Sequence, residues 1–181
     1  PATPSGVDDL VIFDLETGSA AELHSAGPEW LRLGGWSDGT GVQLTTDFAS
    51  LTRRVQHAHV VTGHNVMGYD LLALARHHGL DILELTRRSA VFDTLLAARF
   101  VDPPMAREKG VDAQRRYDLD SLGRKYELGG KTGNLAGLKK EFGGYDKIPV
   151  DDPRYREYLT GDVELSRALY LKLHELVGDS R

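Results

Sequence analysis

Asp14 and Glu16 stand two residues apart in "VIFDLETG" (residues 11–18), at the end of an apolar run. In a strand, residues i and i+2 point to the same side, so the two carboxylates face one another with like charge. Such a pair is either a solvated strand end or half of a cation site. Two more acidic features lie downstream. In "GHNVMGYD", Asp70 opens a helix just past the end of a strand. In "YLTGD", Tyr158 and Asp162 are four apart in a helical context and share a face. Hard divalent cations such as Mg²⁺ take oxygen ligands, usually from a few carboxylates, and keep positions for water and substrate phosphate. Two such ions about 3.5–4 Å apart can clamp the attacking and leaving oxygens of a phosphodiester displacement. Four carboxylates from a strand, a helix start and a late helix could build that clamp. The cost is repulsion in the metal-free state, which raises some pKa values and couples the titrations.

Other chemistries fit less well. "GGKTG" invites a phosphate-loop reading, but that pattern needs a Gly at position 125, where Lys125 stands, and it should follow a strand. Seven histidines include the pairs His57/His59 and His77/His78, yet there is no H-E-x-x-H and no cysteine to complete a zinc site. The G-x-S-x-G of a serine hydrolase is absent.

The elements that must position the acids can be read from periodicity. Residues 10–15, 30–36, 42–45 and 59–63 read as strands, with the turn-rich "SDGTG" between the second and third. A helix is expected over 47–56 with Thr46 as N-cap, and another from Tyr69 to a stop at Gly79. "AVFDTLLAARFVDPP" reads as a strand end followed by a helix that stops at Pro103-Pro104. "YDLDSLGRKYEL" and "NLAGLKKEF" read as helices. The last helix, whole or broken, starts at Pro153 with Asp152 as N-cap. Strands early and helices late predict an α/β or α+β domain whose mixed sheet starts antiparallel and continues parallel. "GGKTG" and "EFGGYDKIP" are the loosest stretches.

The chain of 181 residues fits one domain, with 40% hydrophobic and 27% charged residues. It has no apolar run long enough to span a bilayer and no signal-peptide pattern, and the lack of cysteine fits a cytoplasmic location. A formal charge of −5 argues against nucleic acid as a partner, but two divalent cations would bring it to −1. From 105 to 140 the balance reverses, with nine Lys or Arg against five Asp or Glu, which offers contacts to backbone phosphates.

The three motifs, in this order, resemble those of the DEDD superfamily of 3′→5′ exonucleases: D-x-E in "FDLET", N-x(2–3)-[FY]-D in "HNVMGYD" and Y-x3-D in "YLTGD". The tyrosine marks the Tyr-type branch. "FDT" at 92–94, "DLDSL" at 118–122 and "GDVELSRALYLKL" extend the resemblance to the proofreading domain of family A, polymerase I-type, DNA polymerases, over residues 10–176. The stretch 129–149 is more similar to phage versions than to bacterial ones. The resemblance implies a ribonuclease H-like mixed sheet flanked by α-helices, and two divalent cations, Mg²⁺ or Mn²⁺. It implies that Asp14, Glu16 and Asp162 hold the metal that activates water, that Asp14 bridges to the second metal, and that Asp70 supports that second ion directly or through water. Tyr158, with Glu16, would orient the attacking water.

The residues around these motifs, Leu15, Thr17, His64, Asn65 and Met67, are the candidates for holding the terminal nucleotide. Leu15 and Met67 could wedge or stack against its base, although strand alternation turns Leu15 away from the acids and toward the core. Asp93 fits a helix N-cap and is left out of the ligands. The expected activity is removal of nucleoside 5′-monophosphates from single-stranded DNA 3′ ends by a monomeric, non-membrane protein. Residues 1–181 would be one exonuclease domain at the front of a longer polymerase. The alternatives are a ribonuclease D-like exoribonuclease and a silent domain that binds 3′ ends or braces a polymerase.

Overall fold

The computed structural model describes residues 10–103 and 116–179. Residues 1–9 and the part of the basic stretch from Arg107 to Arg115 lie outside them. The sheet has five strands in the order β3-β2-β1-β4-β5: β1 Leu10–Thr17, β2 Leu31–Ser37, β3 Val42–Thr45, β4 Val60–Gly63 and β5 Val91–Asp93. β1 pairs antiparallel with β2, and β2 with β3, while β1–β4 and β4–β5 are parallel. This is the mixed α/β sheet expected from the sequence, in a ribonuclease H-like arrangement. The helices are α1 Phe48–His57, α2 Asp70–His78, α3 Ile82–Arg87, α4 Thr94–Val101, α5 Leu119–Lys125, α6 Leu135–Phe142 and α7 Pro153–Asp179.

Strand alternation sorts β1 into two faces. Val11, Phe13 and Leu15 enter a core shared with Leu51 and Val55 of α1, Leu71 and Leu74 of α2, and Leu85 of α3. Ile12 faces the other way, into a second core with Leu33, Ile148 and, from α7, Tyr155, Leu159 and Val163. Asp14 and Glu16 continue that second face, so the surface that α7 crosses turns from apolar to acidic along one strand. A third core joins Ala98 of α4 and Leu119 and Leu122 of α5 to Leu165, Leu169 and Leu173 of α7. The 27-residue α7 thus runs unbroken over two cores and carries the third motif within the stretch that packs on the second core.

Local chemistry accounts for most helix starts. Asp118 and Asn134 accept from Ser121 N and Gly137 N, and Asp152 Oδ1 accepts from Arg154 N at 2.8 Å beside Pro153. The cap of α1 is Asp47 rather than Thr46: Asp47 Oδ1 takes Ser50 N at 2.9 Å, while Thr45 Oγ1 takes Asp47 N. A carboxylate is a better acceptor than a hydroxyl there and also suits the helix dipole. The six residues of α3 are too few for an apolar period to register in the sequence; Asp81 caps it through Glu84 N.

A candidate metal centre

The centre stands where β1 outruns its parallel neighbour. The β1–β4 pairing ends at Ile12 opposite Thr62, and β4 stops at Gly63, so Asp14 and Glu16 project beyond the carboxyl end of β4. Ligands of open α/β sheets gather at that edge. On the acidic face, α7 brings Asp162 over the strand. One carboxylate oxygen each from Asp14, Glu16 and Asp162 lies within 4.8 Å of the others. Glu16 and Asp162 are buried, at 8% and 3% exposure, and Asp14 is half-buried. Asp162 Oδ1 is buried with no hydrogen-bond partner. Three clustered carboxylates and an orphaned oxygen fit a hard divalent cation, and this group could hold a metal ion.

Asp70 stands beside the group rather than in it. It is 2% exposed at the start of α2, and its Oδ1 accepts the backbone N–H of Leu15 at 3.0 Å. That N–H lies past the end of β4, so the carboxylate takes the place of the missing strand. The second motif is therefore tied to the first by one bond across 55 residues of chain.

The electrostatics are those of crowded carboxylates. Burial pushes Asp14 up to about 7, with Asp162 adding to the rise and Lys131 opposing it. Glu16 is held well above its usual value by burial and then by Asp14 and Asp162. Asp70 is also held well above, by burial and then by Asp14. Burial raises Asp162, with Lys131 pulling the other way. Tyr158 is raised by burial and by Asp162.

A residue the motifs do not include completes the centre. Lys131, from "GGKTG", donates from Nζ to Asp162 Oδ2 at 2.5 Å and to the Tyr158 hydroxyl oxygen at 2.7 Å. Burial lowers its pKa, but Asp162 and Tyr158 more than reverse this and leave it above its usual value. The stretch does not fit a phosphate loop, and its composition is that of a loose segment within the basic part of the chain. The signal it did carry was a lysine set among glycines, 27 residues before Tyr158 and with no spacing rule to link them.

The flanking residues separate into two groups. Leu15 is in the core, as alternation requires, and offers the site its backbone rather than its side chain. Thr17 is buried, its Oγ1 2.6 Å from the Tyr69 hydroxyl, and Tyr69 packs on Trp30 at 5.8 Å between ring centroids. This braces the end of β1. His64 Nδ1 lies 3.0 Å from Thr94 Oγ1, and burial pushes its pKa down to about 4. Asn65, with φ of +62°, and Met67, 39% exposed, stand on the open side of the loop after β4. Asp93 caps α4 through Leu95 N and also takes Asn65 N at 3.2 Å and Met67 N at 3.0 Å, so it is the anchor of that loop. Next to Met67, a groove of about 360 Å³ is lined by Phe92, Leu96, Ala97 and Phe100.

Fold and site together define an α/β domain with a buried carboxylate centre able to hold a metal ion. No family model matches the chain, and no curated protein matches it significantly. Among the described residues, no helix is long and apolar enough to cross a membrane.

A pH effect on stability follows. Carboxyls held above their unfolded values bind protons that the unfolded chain releases, so stability falls as pH rises through them. His64 has the opposite sign, because the unfolded chain binds its proton between about 4 and 6.5. Above pH 6.5 the histidine contribution is nearly spent and the carboxyls dominate, with Asp14 at about 7. In EDTA, Tm is expected to fall by a few degrees between pH 6.5 and 8.5. With millimolar Mg²⁺ or Mn²⁺ it should rise at each pH, and most at pH 8.5, where metal no longer competes with protons. Differential scanning calorimetry measures both. A Tm indifferent to metal at pH 8.5 counts against the centre.

Proposed function

We propose that the protein is a metal-dependent 3′→5′ exonuclease acting on single-stranded DNA 3′ ends, as a monomeric proofreading module in the company of a polymerase domain. The reading is carried by the convergence of Asp14, Glu16 and Asp162 on one point, with the Tyr158 hydroxyl tied to Asp162 through Lys131. Two divalent cations, Mg²⁺ or Mn²⁺, held by the three carboxylates with support from Asp70, would lower the pKa of water and offset the charge at phosphorus. Water adds to the phosphorus of the terminal phosphodiester and the P–O3′ bond breaks. The proton lost by water balances the one gained by the leaving O3′. The products are a nucleoside 5′-monophosphate and a strand one nucleotide shorter with a free 3′-OH.

The side chains would divide the work. Tyr158 and Glu16 would orient the attacking water, and because bound metal would lower that water's pKa, no separate protein base is needed. Asn65 and Met67, exposed on the loop that Asp93 anchors, meet the terminal nucleotide; His64, neutral at physiological pH, backs that loop through Thr94. Met67, Leu96 and Phe100 give apolar faces for bases to stack on without regard to sequence.

The deciding experiment incubates the protein with matched 5′-labelled single-stranded DNA and RNA, with Mg²⁺ or Mn²⁺, and resolves the products. A ladder shortening from the 3′ end on DNA is expected. Preference for RNA would make it an exoribonuclease, and no release from either would leave a domain that only binds. Tyr158→Phe should slow turnover about 10–100-fold, since it removes one orienting hydroxyl. Mn²⁺ affinity, read by electron paramagnetic resonance, should stay nearly the same; a large loss would put the tyrosine oxygen on the metal itself.

A further inference from the structure

The loop at 129–134 is seated directly on α7, across the third motif. Lys131 N donates to Asp120 Oδ1 at 2.9 Å, which fixes the entry to the loop. Thr132 lies against Gly161 so closely that a Cβ at 161 would meet Thr132 Oγ1 at 2.0 Å. Gly133, with φ of +82°, passes over Tyr158, whose Cβ is 3.5 Å from where a Gly133 Cβ would stand. The glycine of "YLTGD" is thus the floor on which this loop rests. Lys131 reaches down from the loop with its side chain 32% exposed, and its ammonium bridges Tyr158 and Asp162. A solvated lysine on a loose loop would have none of these contacts.

The two oxygens of Asp162 are in different states. Oδ2 holds the ammonium, and Oδ1 is buried without a partner. We propose that Lys131 is a positioning residue of the third motif and keeps its place when metal is bound. Its ammonium fixes Asp162 so that Oδ1 is the oxygen presented to a cation. It also occupies a lone pair of the Tyr158 hydroxyl, leaving that group its own proton to donate. The same positive charge stands close to where negative charge would build on a phosphodiester. The kinetic side of this inference rests on the nuclease reading, whereas the bridge between Tyr158 and Asp162 does not.

The alternative arrangement is a lysine that plugs the cation position and is expelled by metal. Lys131→Met and Lys131→Arg separate the two. If Lys131 positions, Lys131→Met lowers kcat about 30-fold or more, with KM for DNA and Mn²⁺ affinity changed less than about threefold, and Lys131→Arg restores most of the rate. A plug predicts instead that Lys131→Met raises Mn²⁺ affinity tenfold or more, and that result overturns the proposal. So does unchanged turnover in Lys131→Met. A second readout needs no turnover: 3-fluorotyrosine at position 158, followed by ¹⁹F NMR in saturating Mg²⁺. One narrow line is expected in the parent protein and a shifted or broadened one in Lys131→Met. A spectrum indifferent to the substitution means that lysine does not hold Tyr158 in the metal-bound state. Should the parent protein release no nucleotide, the nuclease reading fails and the fluorine spectrum still decides the bridge.

Discussion

Asp14→Asn is expected to lower nucleotide release by about a thousandfold or more, equivalent to about 4 kcal/mol of transition-state stabilisation. Asp14 is the acid coupled most strongly to both sides of the centre. It is within ligand distance of the Glu16–Asp162 group, and its charge is also the one that most raises Asp70 after burial. In the proposed site it would be the carboxylate shared by the two cations, so its loss would remove more than a single ligand. The same substitution should make the metal-free protein more stable. Glu16 and Asp70 both lose a like-charged neighbour, and a strained carboxyl is replaced by a neutral amide. A higher Tm in EDTA, a lost response to Mn²⁺ and abolished turnover form one signature. Retention of a tenth of the parent rate would show that Asp14 is not at the reacting centre, whatever happened to the Tm.

The second large effect concerns the sheet edge that creates the site. Gly63 ends β4 beside β1, and a Cβ there would come within 2.5 Å of the Phe13 carbonyl oxygen and 2.4 Å of Val66 Cγ1. The valine has little room to turn, and the carbonyl cannot move without moving β1 one residue before Asp14. Gly63→Ala is therefore expected to cost about 3 kcal/mol, at the upper end for overpacking, because the obstacle is backbone. For a chain of this size that lowers Tm by about 6–12 °C. The damage should also reach the centre, since the loop from His64 to Asp70 leaves from this point and carries the acid that holds Leu15 N. A weaker metal response in the surviving folded protein would report that. Gly41 has nothing within 4 Å of its would-be Cβ, so Gly41→Ala serves as the near-neutral control. A Tm loss at Gly63→Ala no greater than at Gly41→Ala would mean that β1 and β4 do not approach so closely.

Much of the fold is legible because the signals are local. An apolar run ending in Asp14-Leu15-Glu16 is a strand whose alternation can be counted, and Asp118, Asn134 and Asp152-Pro153 announce helices within a few residues. The split of β1 into Phe13 and Leu15 on one side and Ile12, Asp14 and Glu16 on the other follows from the period of two alone. Where the sequence misplaced a boundary, as at Thr46 and Asp47, two neighbouring cap residues competed and only the backbone conformation chose between them. The carboxylates of the centre were legible for a related reason: acids on the same face as buried aliphatics are costly unless something positive compensates them.

The remainder was decided by contacts between residues far apart in the chain. Lys131 meets Asp162 across 31 positions, Asp93 meets Met67 across 26 and Asp70 meets Leu15 across 55. None of these has a spacing rule, because each depends on where two separate elements end up relative to one another. The sequence by itself determined which residues bear charge and which face of β1 they share. Only the tertiary structure decided that α7 lies over that face, that Asp70 substitutes for the missing end of β4, and that the cation standing among the acids is a lysine from a loop. Periodicity specifies direction within an element, while the distance between elements is set by how their cores pack.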